Sequence, residues 1–144
     1  MVMQSVRAAR RQHSEDGTSV VEMAFVLPLL LLLVFAIGDF GIAYTRWNSL
    51  TNAVREGARV GVVFRTPCNA GAVTAEIQNT VSNFAASAGL DGPSIVTNAG
   101  NVCAGTGTQL TVTATAPYNY IAMSALAGLA PSINLRARTV MRNE

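Results

Sequence analysis

Polar and apolar positions divide the chain into stretches of different period. Residues 1 to 17 (MVMQSVRAARRQHSEDG) are polar and show no periodic apolar face, which predicts a leader without structure of its own. From Met23 to Gly38 run 16 uncharged residues, MAFVLPLLLLLVFAIG, and apolar character resumes after Asp39 through Tyr44. A bilayer core asks for about 17 to 25 residues, so this stretch crosses if Glu22 and Asp39 sit near the two interfaces or are paired. Trp47, Leu50, Val54, Ala58 and Gly61 or Val62 then recur at steps of three and four, which predicts an amphipathic continuation of the same helix. Thr66-Pro67 supplies its expected stop. A helix over 18–65 would be about 72 Å long at roughly 1.5 Å per residue, so part of it must project beyond a membrane. Pro28 removes one backbone donor and is expected to bend or locally open the span.

Beyond Pro67 the pattern predicts a second, shorter helix over Ala70 to Ala88, with Val73, Ile77, Val81, Phe84 and Ala88 on its apolar stripe and Gly89 as its end. The period then changes to two. Ser94 to Thr97 is short and β-branched. Leu110, Val112, Ala114 and Ala116 alternate with Thr111, Thr113 and Thr115, while Ile133, Leu135, Ala137 and Met141 alternate with Asn134, Arg136, Arg138 and Arg142. Asn98-Ala99-Gly100-Asn101 and Gly105-Thr106-Gly107 are turn chemistry, and Ile121 to Leu129 reads as a helical turn or loop between the last two strands. The expected class is α+β: a long N-terminal hydrophobic helix packed on a small antiparallel sheet domain with a short second helix. The organisation is a leader over 1–17, a transmembrane helix over 18–45, an amphipathic continuation over 46–66 and an extracytoplasmic domain over 67–144.

Composition sharpens this outline. Only 12% of the 144 residues are charged, where a soluble domain carries about a quarter, and this shortage points to a membrane. Ten Arg and no Lys oppose eight acids, and the Arg are scattered, so there is no nucleic-acid footprint. Arg7, Arg10 and Arg11 precede the span and place that end in the cytoplasm by the positive-inside bias. The single His13 lies in the leader, which leaves the body of the chain no imidazole for a metal or a nucleophile relay. Glu56, Glu76 and Asp91 have no His or Lys to tune them, and no glycine-rich loop follows a strand. No enzyme, cofactor or metal site is expected. Cys68 and Cys103 are too few for a closed zinc site. An even pair downstream of an apolar segment suggests one disulfide in an oxidising compartment, with two free thiols as the alternative. If paired they would close a loop worth about 3.8 kcal/mol in the chain-entropy account.

The informative constellation is a junction: a short basic leader, Gly17, then Thr18-Ser19-Val20-Val21, Glu22 and the long apolar run. Gly17 has no side chain to exclude a protease from the backbone. Glu22 lies in the first turns of a helix that would begin at Thr18, where the macrodipole favours an acid, yet in hydrocarbon it costs about 2.5 to 3.5 kcal/mol if unpaired. A new α-amino group on Thr18, from the same chain or a neighbouring copy, would supply its counter-charge.

These residues carry a resemblance. GTSVVEMAFVLPLLLLLVFAIGDFGIAYTRWNSLTNAVREGARVGVVFR, residues 17 to 65, resembles the TadE-like pseudopilins of tight-adherence (Tad/Flp) pili, with VVEMAFVLPLLLLLVF and NAVREGAR carrying most of the similarity. The resemblance implies a class III type IV prepilin cut after Gly17 by prepilin peptidase, with Thr18 as the mature N-terminus. It implies a minor component or assembly and initiation subunit rather than the short major pilin, acting in surface adhesion. The implied partners are prepilin peptidase, other pilins and pseudopilins, and an inner-membrane assembly platform. Glu22 inherits the role of meeting a neighbour's N-terminal amine and setting register. Met23 departs from the Phe that more often follows this Glu.

Plainer readings stand beside these. Beside its prepilin role Glu22 has the plainer reading of a helix-start acid at the interface, Asp39 reads as an interfacial residue rather than a subunit contact, and Trp47 as an interface anchor. Arg55, Glu56 and Arg59 are ordinary solvated i, i+3 and i+4 neighbours, with a face that contacts another pilin as the sharper reading. Arg136, Arg138 and Arg142 form the solvated face of an outer strand, where charge blocks edge pairing, with a ligand for anionic surface polymer as the sharper reading. Arg10-Arg11 lacks the flanking residues of a twin-arginine signal. The rival function is an extracytoplasmic binding module unrelated to pili, secreted or membrane-anchored. Ala36-Ile37-Gly38 and Gly41-Ile42-Ala43 are small-x-small sites after the apolar run, and cleavage there would release it. Against that, such a cut is expected to strip away the helix that covers the sheet.

Overall fold

The structure is a computed structural model that describes residues 3–98, 101–121 and 132–143, with side chains from residue 17 onward. Its elements are helix α1 (Met3–Gly61), helix α2 (Ala70–Ser87) and strands β1 (Ser94–Thr97), β2 (Gln109–Asn119) and β3 (Ser132–Arg142). This is the α+β arrangement expected from the pattern. The chain divides into two compact units, Met1–Gly38 and Asp39–Glu144.

The first unit is helix alone. It is continuous through Pro28, and from Gly17 to Gly38 its residues are exposed save for a half-buried Ala36. The leader, expected to lack structure, has a helical backbone from Met3. Ala, Arg and Gln are good helix formers, and a segment that extends an existing helix avoids the cost of nucleation.

The second unit holds the core. Three antiparallel strands lie in the order β1-β2-β3, with Ser94 opposite Thr115, Gln109 opposite Arg142 and Asn119 opposite Ser132. Leu110, Val112, Ala114, Ala116 and Tyr118 of β2 are buried with Leu135 and Ala137 of β3. They meet Ala43, Leu50, Ala53, Val54 and Ala58 of α1 and Val73, Ile77, Val81 and Ala85 of α2. The alternation read in the sequence therefore selects the buried face of both long strands, and the two helices cover it. The expected apolar stripe of α2 needs one correction. Phe84 is exposed, and Ala85 takes the inward place because it follows Val81 by four residues on the buried stripe. Ile121 to Leu129, expected as a helical turn or loop, lies outside the described residues from position 122 onward.

Both ends of α2 follow from local chemistry. Asn69 Oδ1 accepts hydrogen bonds from the Gly71 and Ala72 amides at 3.1 and 3.2 Å, satisfying two of the donors a helix start leaves open. At the other end Gly89 adopts φ +71°, its amide bonds Ala86 O, and the Leu90 amide bonds Ala85 O. Leu90 and Ala85 are both buried, completing a Schellman motif with its apolar contact. The end of α1 falls at Gly61, short of the expected stop at Thr66-Pro67. Glycine and two β-branched valines weaken the last turn, and the Arg65 guanidinium donates to Val60 O at 3.4 Å, closing the helix early.

Close helix packing depends on Gly57 and Gly61. A Cβ at Gly57 would run into Val81 Cγ2 and sit 3.3 Å from Ile77 O, which is backbone and yields little. Replacement Gly57→Ala should therefore lower stability by up to about 2 kcal/mol, the overpacking cost of about 1–3 kcal/mol less the helix-propensity gain of about 1 kcal/mol. Gly41, with open space around it, should accept Ala without loss. Thermal unfolding of the two variants side by side checks this: equal melting temperatures would show that α1 and α2 are not held in contact at Gly57.

The cover of the sheet begins within the second unit. Among the described residues no buried core residue precedes Asp39, so a cut after Gly38 would leave this cover in place, contrary to the expectation that it would be stripped away.

Candidate functional site

Gly17, Thr18 and Glu22 lie on the exposed helical surface of the first unit. The space around Gly17 is open, and no atom stands within 4 Å of where its Cβ would be. Thr18 and Glu22 are four residues apart and so share one helix face. Glu22 borders a shallow hollow with Ser19, Val20, Met23 and Val26, and it makes no ion pair or hydrogen bond among the described residues. The junction thus presents a carboxylate on an apolar helix, one turn beyond the position that proteolysis after Gly17 would convert into an amine. The Gly17-Thr18 bond lies inside α1 rather than in a loop, so a protease has to unwind the helix locally. Gly17 is among the poorest helix formers and is followed by Thr18, Ser19, Val20 and Val21, so this is the stretch where unwinding costs least.

The second predicted pair is brought together: Cys68 and Cys103 form a disulfide with Cα atoms 5.8 Å apart, a separation within the ordinary range. Cys103 holds a left-handed backbone, φ 65°, in the turn after Asn101. The bond ties the segment before α2 to the loop before β2. Arg65, in the same segment, pairs with Glu76 of α2 at 2.5 Å. Their hydrogen bond holds the Glu76 carboxyl below its usual range and lifts the Arg65 guanidinium above its own. Arg59 and Glu56 form an exposed pair at 3.8 Å, as their spacing on α1 suggests.

A third cluster was not anticipated. Asp39 is buried, 3% exposed, and the Tyr118 hydroxyl reaches toward its backbone carbonyl at 3.5 Å. The Arg46 guanidinium stacks 5.0 Å from the Tyr118 ring centroid, and Tyr120 meets that ring edge-on. Burial raises the Tyr118 hydroxyl above its ordinary range, with the Asp39 charge adding to the rise. Trp47, read from sequence as an interface anchor, has an indole N–H that donates to Arg136 O at 3.1 Å and so fastens α1 to β3. Extending the β2 alternation two residues past Ala116 would have marked Tyr118 as buried, but no sequence signal links it to Arg46 or Asp39. Among the described residues no three His, Cys, Asp or Glu side chains converge as metal ligands.

Taken together, the described part of the chain is an exposed apolar helix, the one helix among those described long and apolar enough to cross a membrane, joined to a small α+β unit. Residues 17–59 match the family model described as TadE-like protein, from the glycine of the junction to the last turn of α1. No curated protein and no solved structure matches the chain.

Proposed function

We propose that this protein is a single-pass inner-membrane subunit of a Tad-type pilus, a minor pseudopilin or an assembly and initiation factor with no catalytic role of its own. The observation that supports it most is the coincidence of the family match with the junction: the matched segment opens at Gly17, the glycine that the charge pattern marks as the end of the leader. In this reading prepilin peptidase cuts after Gly17 and frees the Thr18 amine, while the leader Arg residues hold the N-terminus in the cytoplasm. The exposed apolar face of α1 then packs against the helices of other pilins as the subunit leaves the bilayer for the filament. Glu22 seeks the N-terminal amine of a neighbour, and that pairing fixes the axial register. Surface adhesion is the activity such a filament serves.

The N-terminal residue of the protein isolated from cells is the direct test. Thr18 supports the reading, while Met1 would overturn the processing step. Asp39 or Tyr44 would point instead to a secreted binding module, a reading that gains from the placement of the whole core after Gly38. Replacement Gly17→Arg should leave the leader attached and produce a single band of lower mobility by about 17 residues. Unchanged mobility would place the cut elsewhere.

A further inference from the structure

The alternation that buries one face of β2 and β3 turns Arg136, Arg138 and Arg142 to the other, where all three are exposed. The register sets Arg136 opposite Thr115, Arg138 opposite Thr113 and Arg142 opposite Gln109. β1 extends two of these rows, with Ser94 opposite Thr115 and Val96 opposite Thr113. At about 3.4 Å per residue the three arginine positions span about 20 Å along β3, and about 4.8 Å separates that strand from the threonines of β2.

Two observations set this face apart from an ordinary solvated one. A soluble surface intersperses charges of both signs, yet none of the three strands contains an Asp or a Glu. Three other arginines of the second unit have partners: Arg59 pairs with Glu56, Arg65 with Glu76, and Arg46 lies over the Tyr118 ring. Among the described residues no ion pair or hydrogen bond holds the guanidinium groups of Arg136, Arg138 and Arg142, and the hydroxyls of Thr113 and Thr115 are equally unbonded. The face thus offers charged donors of one sign with neutral hydroxyls beside them. Guanidinium forks match the paired oxygens of carboxylates and phosphates. No aromatic ring stands on this face, so the bases of a nucleic acid have no platform to stack on. Val96 and Val140 are on separate strands with Thr111 and Thr113 between them, and they make no apolar patch of the kind that anchors a protein partner.

We propose that this outer sheet face binds an anionic polysaccharide. Arg136, Arg138 and Arg142 take carboxylate or phosphate groups spaced along the polymer, and the Thr113 and Thr115 hydroxyls bond the sugar hydroxyls between them. The face lies wholly in the second unit and needs neither cleavage at Gly17 nor the pairing of Glu22 to work. In a pilus subunit it would give surface adhesion its target, a coat of acidic glycan.

Binding is measured with the full chain in detergent over immobilised polygalacturonate, which carries a carboxylate on each sugar, and over uncharged dextran, duplex DNA and polyglutamate in parallel. The protein should prefer polygalacturonate to the other three and hold it more weakly at about 200 mM salt than at about 50 mM. The double variant Arg136→Gln, Arg138→Gln should bind it at least about tenfold more weakly, because two charge-assisted contacts are lost. The pair Arg55→Gln, Arg59→Gln removes the same charge from α1 and should bind as the unaltered protein does. Trp47 bonds the backbone carbonyl of Arg136, so the strand variant keeps that tie. Thermal unfolding checks its fold; if it misfolds, Arg142→Gln at the strand end serves and should weaken binding at least about threefold. Absence of binding to polygalacturonate would overturn the proposal. Equal losses in the strand and helix pairs would reduce the effect to net charge and overturn it as well. Tighter binding to DNA or to polyglutamate would assign the face to a nucleic acid or an acidic protein instead.

Discussion

Replacement Glu22→Ala is expected to leave cleavage after Gly17 unchanged, to hold the subunit in the membrane at least as firmly, and to cut its incorporation into pili at least about tenfold. The reasoning is electrostatic. A carboxylate on an exposed apolar helix costs about 2.5–3.5 kcal/mol in hydrocarbon, so a neighbour that offers a positive group is favoured over one that does not. Each 1.4 kcal/mol of that preference is a factor of about ten in the population of the correctly staggered pair. Alanine removes the cost and the preference together: the helix face still packs, but no axial position is selected. Glu22→Gln separates charge from shape and should fail in the same way. Counting pili and measuring the subunit in sheared filaments by immunoblot, with total cellular protein as reference, decides it. Wild-type incorporation of the Ala variant would end the register role of Glu22 while leaving the leader cleavage intact.

The second large effect is expected at the disulfide. Cys68 and Cys103 are separated by 35 positions, and a loop of that size is worth about 3.8 kcal/mol in the chain-entropy account. Small domains have total stabilities of about 5–15 kcal/mol, so Cys68→Ser should remove a large share of it. At about 4–8 °C per kcal/mol for a domain of this size, the melting temperature should fall by roughly 15–30 °C. The left-handed backbone at Cys103 adds to the expectation, because a non-glycine residue holds that conformation only where its surroundings enforce it. The measurement is thermal unfolding in detergent, with the wild type under reductant as a second route to the same state. Equal melting temperatures with and without the bond would show that the loop is held by its packing alone.

Much of this molecule was legible because its signals are local. The alternation of Leu110, Val112, Ala114 and Ala116 against Thr111, Thr113 and Thr115 fixed which face of β2 is buried, and Gly89 marked the end of α2, since a left-handed residue is what a Schellman motif requires. Phe84 shows the limit of such reading. Helical spacing puts it next to the apolar stripe, but the partners that decide whether position 84 or 85 turns inward come from α1 and β2. The stacking of Arg46 on Tyr118 is likewise a product of the fold, set by elements far apart in the chain. Of the candidate site, Gly17, Thr18 and Glu22 were legible as a charge pattern, and Cys68 with Cys103 as a count. The cluster of Asp39, Arg46, Tyr118 and Tyr120 was not, because its members come from α1 and from the end of β2 and meet only once the sheet has formed.

The division at Gly38 has a consequence for the fate of the protein. Among the described residues every buried apolar side chain of the core lies at or after Ala43, and the part of α1 that belongs to the second unit starts at Asp39. A single endoproteolytic nick after Gly38 would therefore release residues 39–144 with every described core residue and the Cys68–Cys103 disulfide retained.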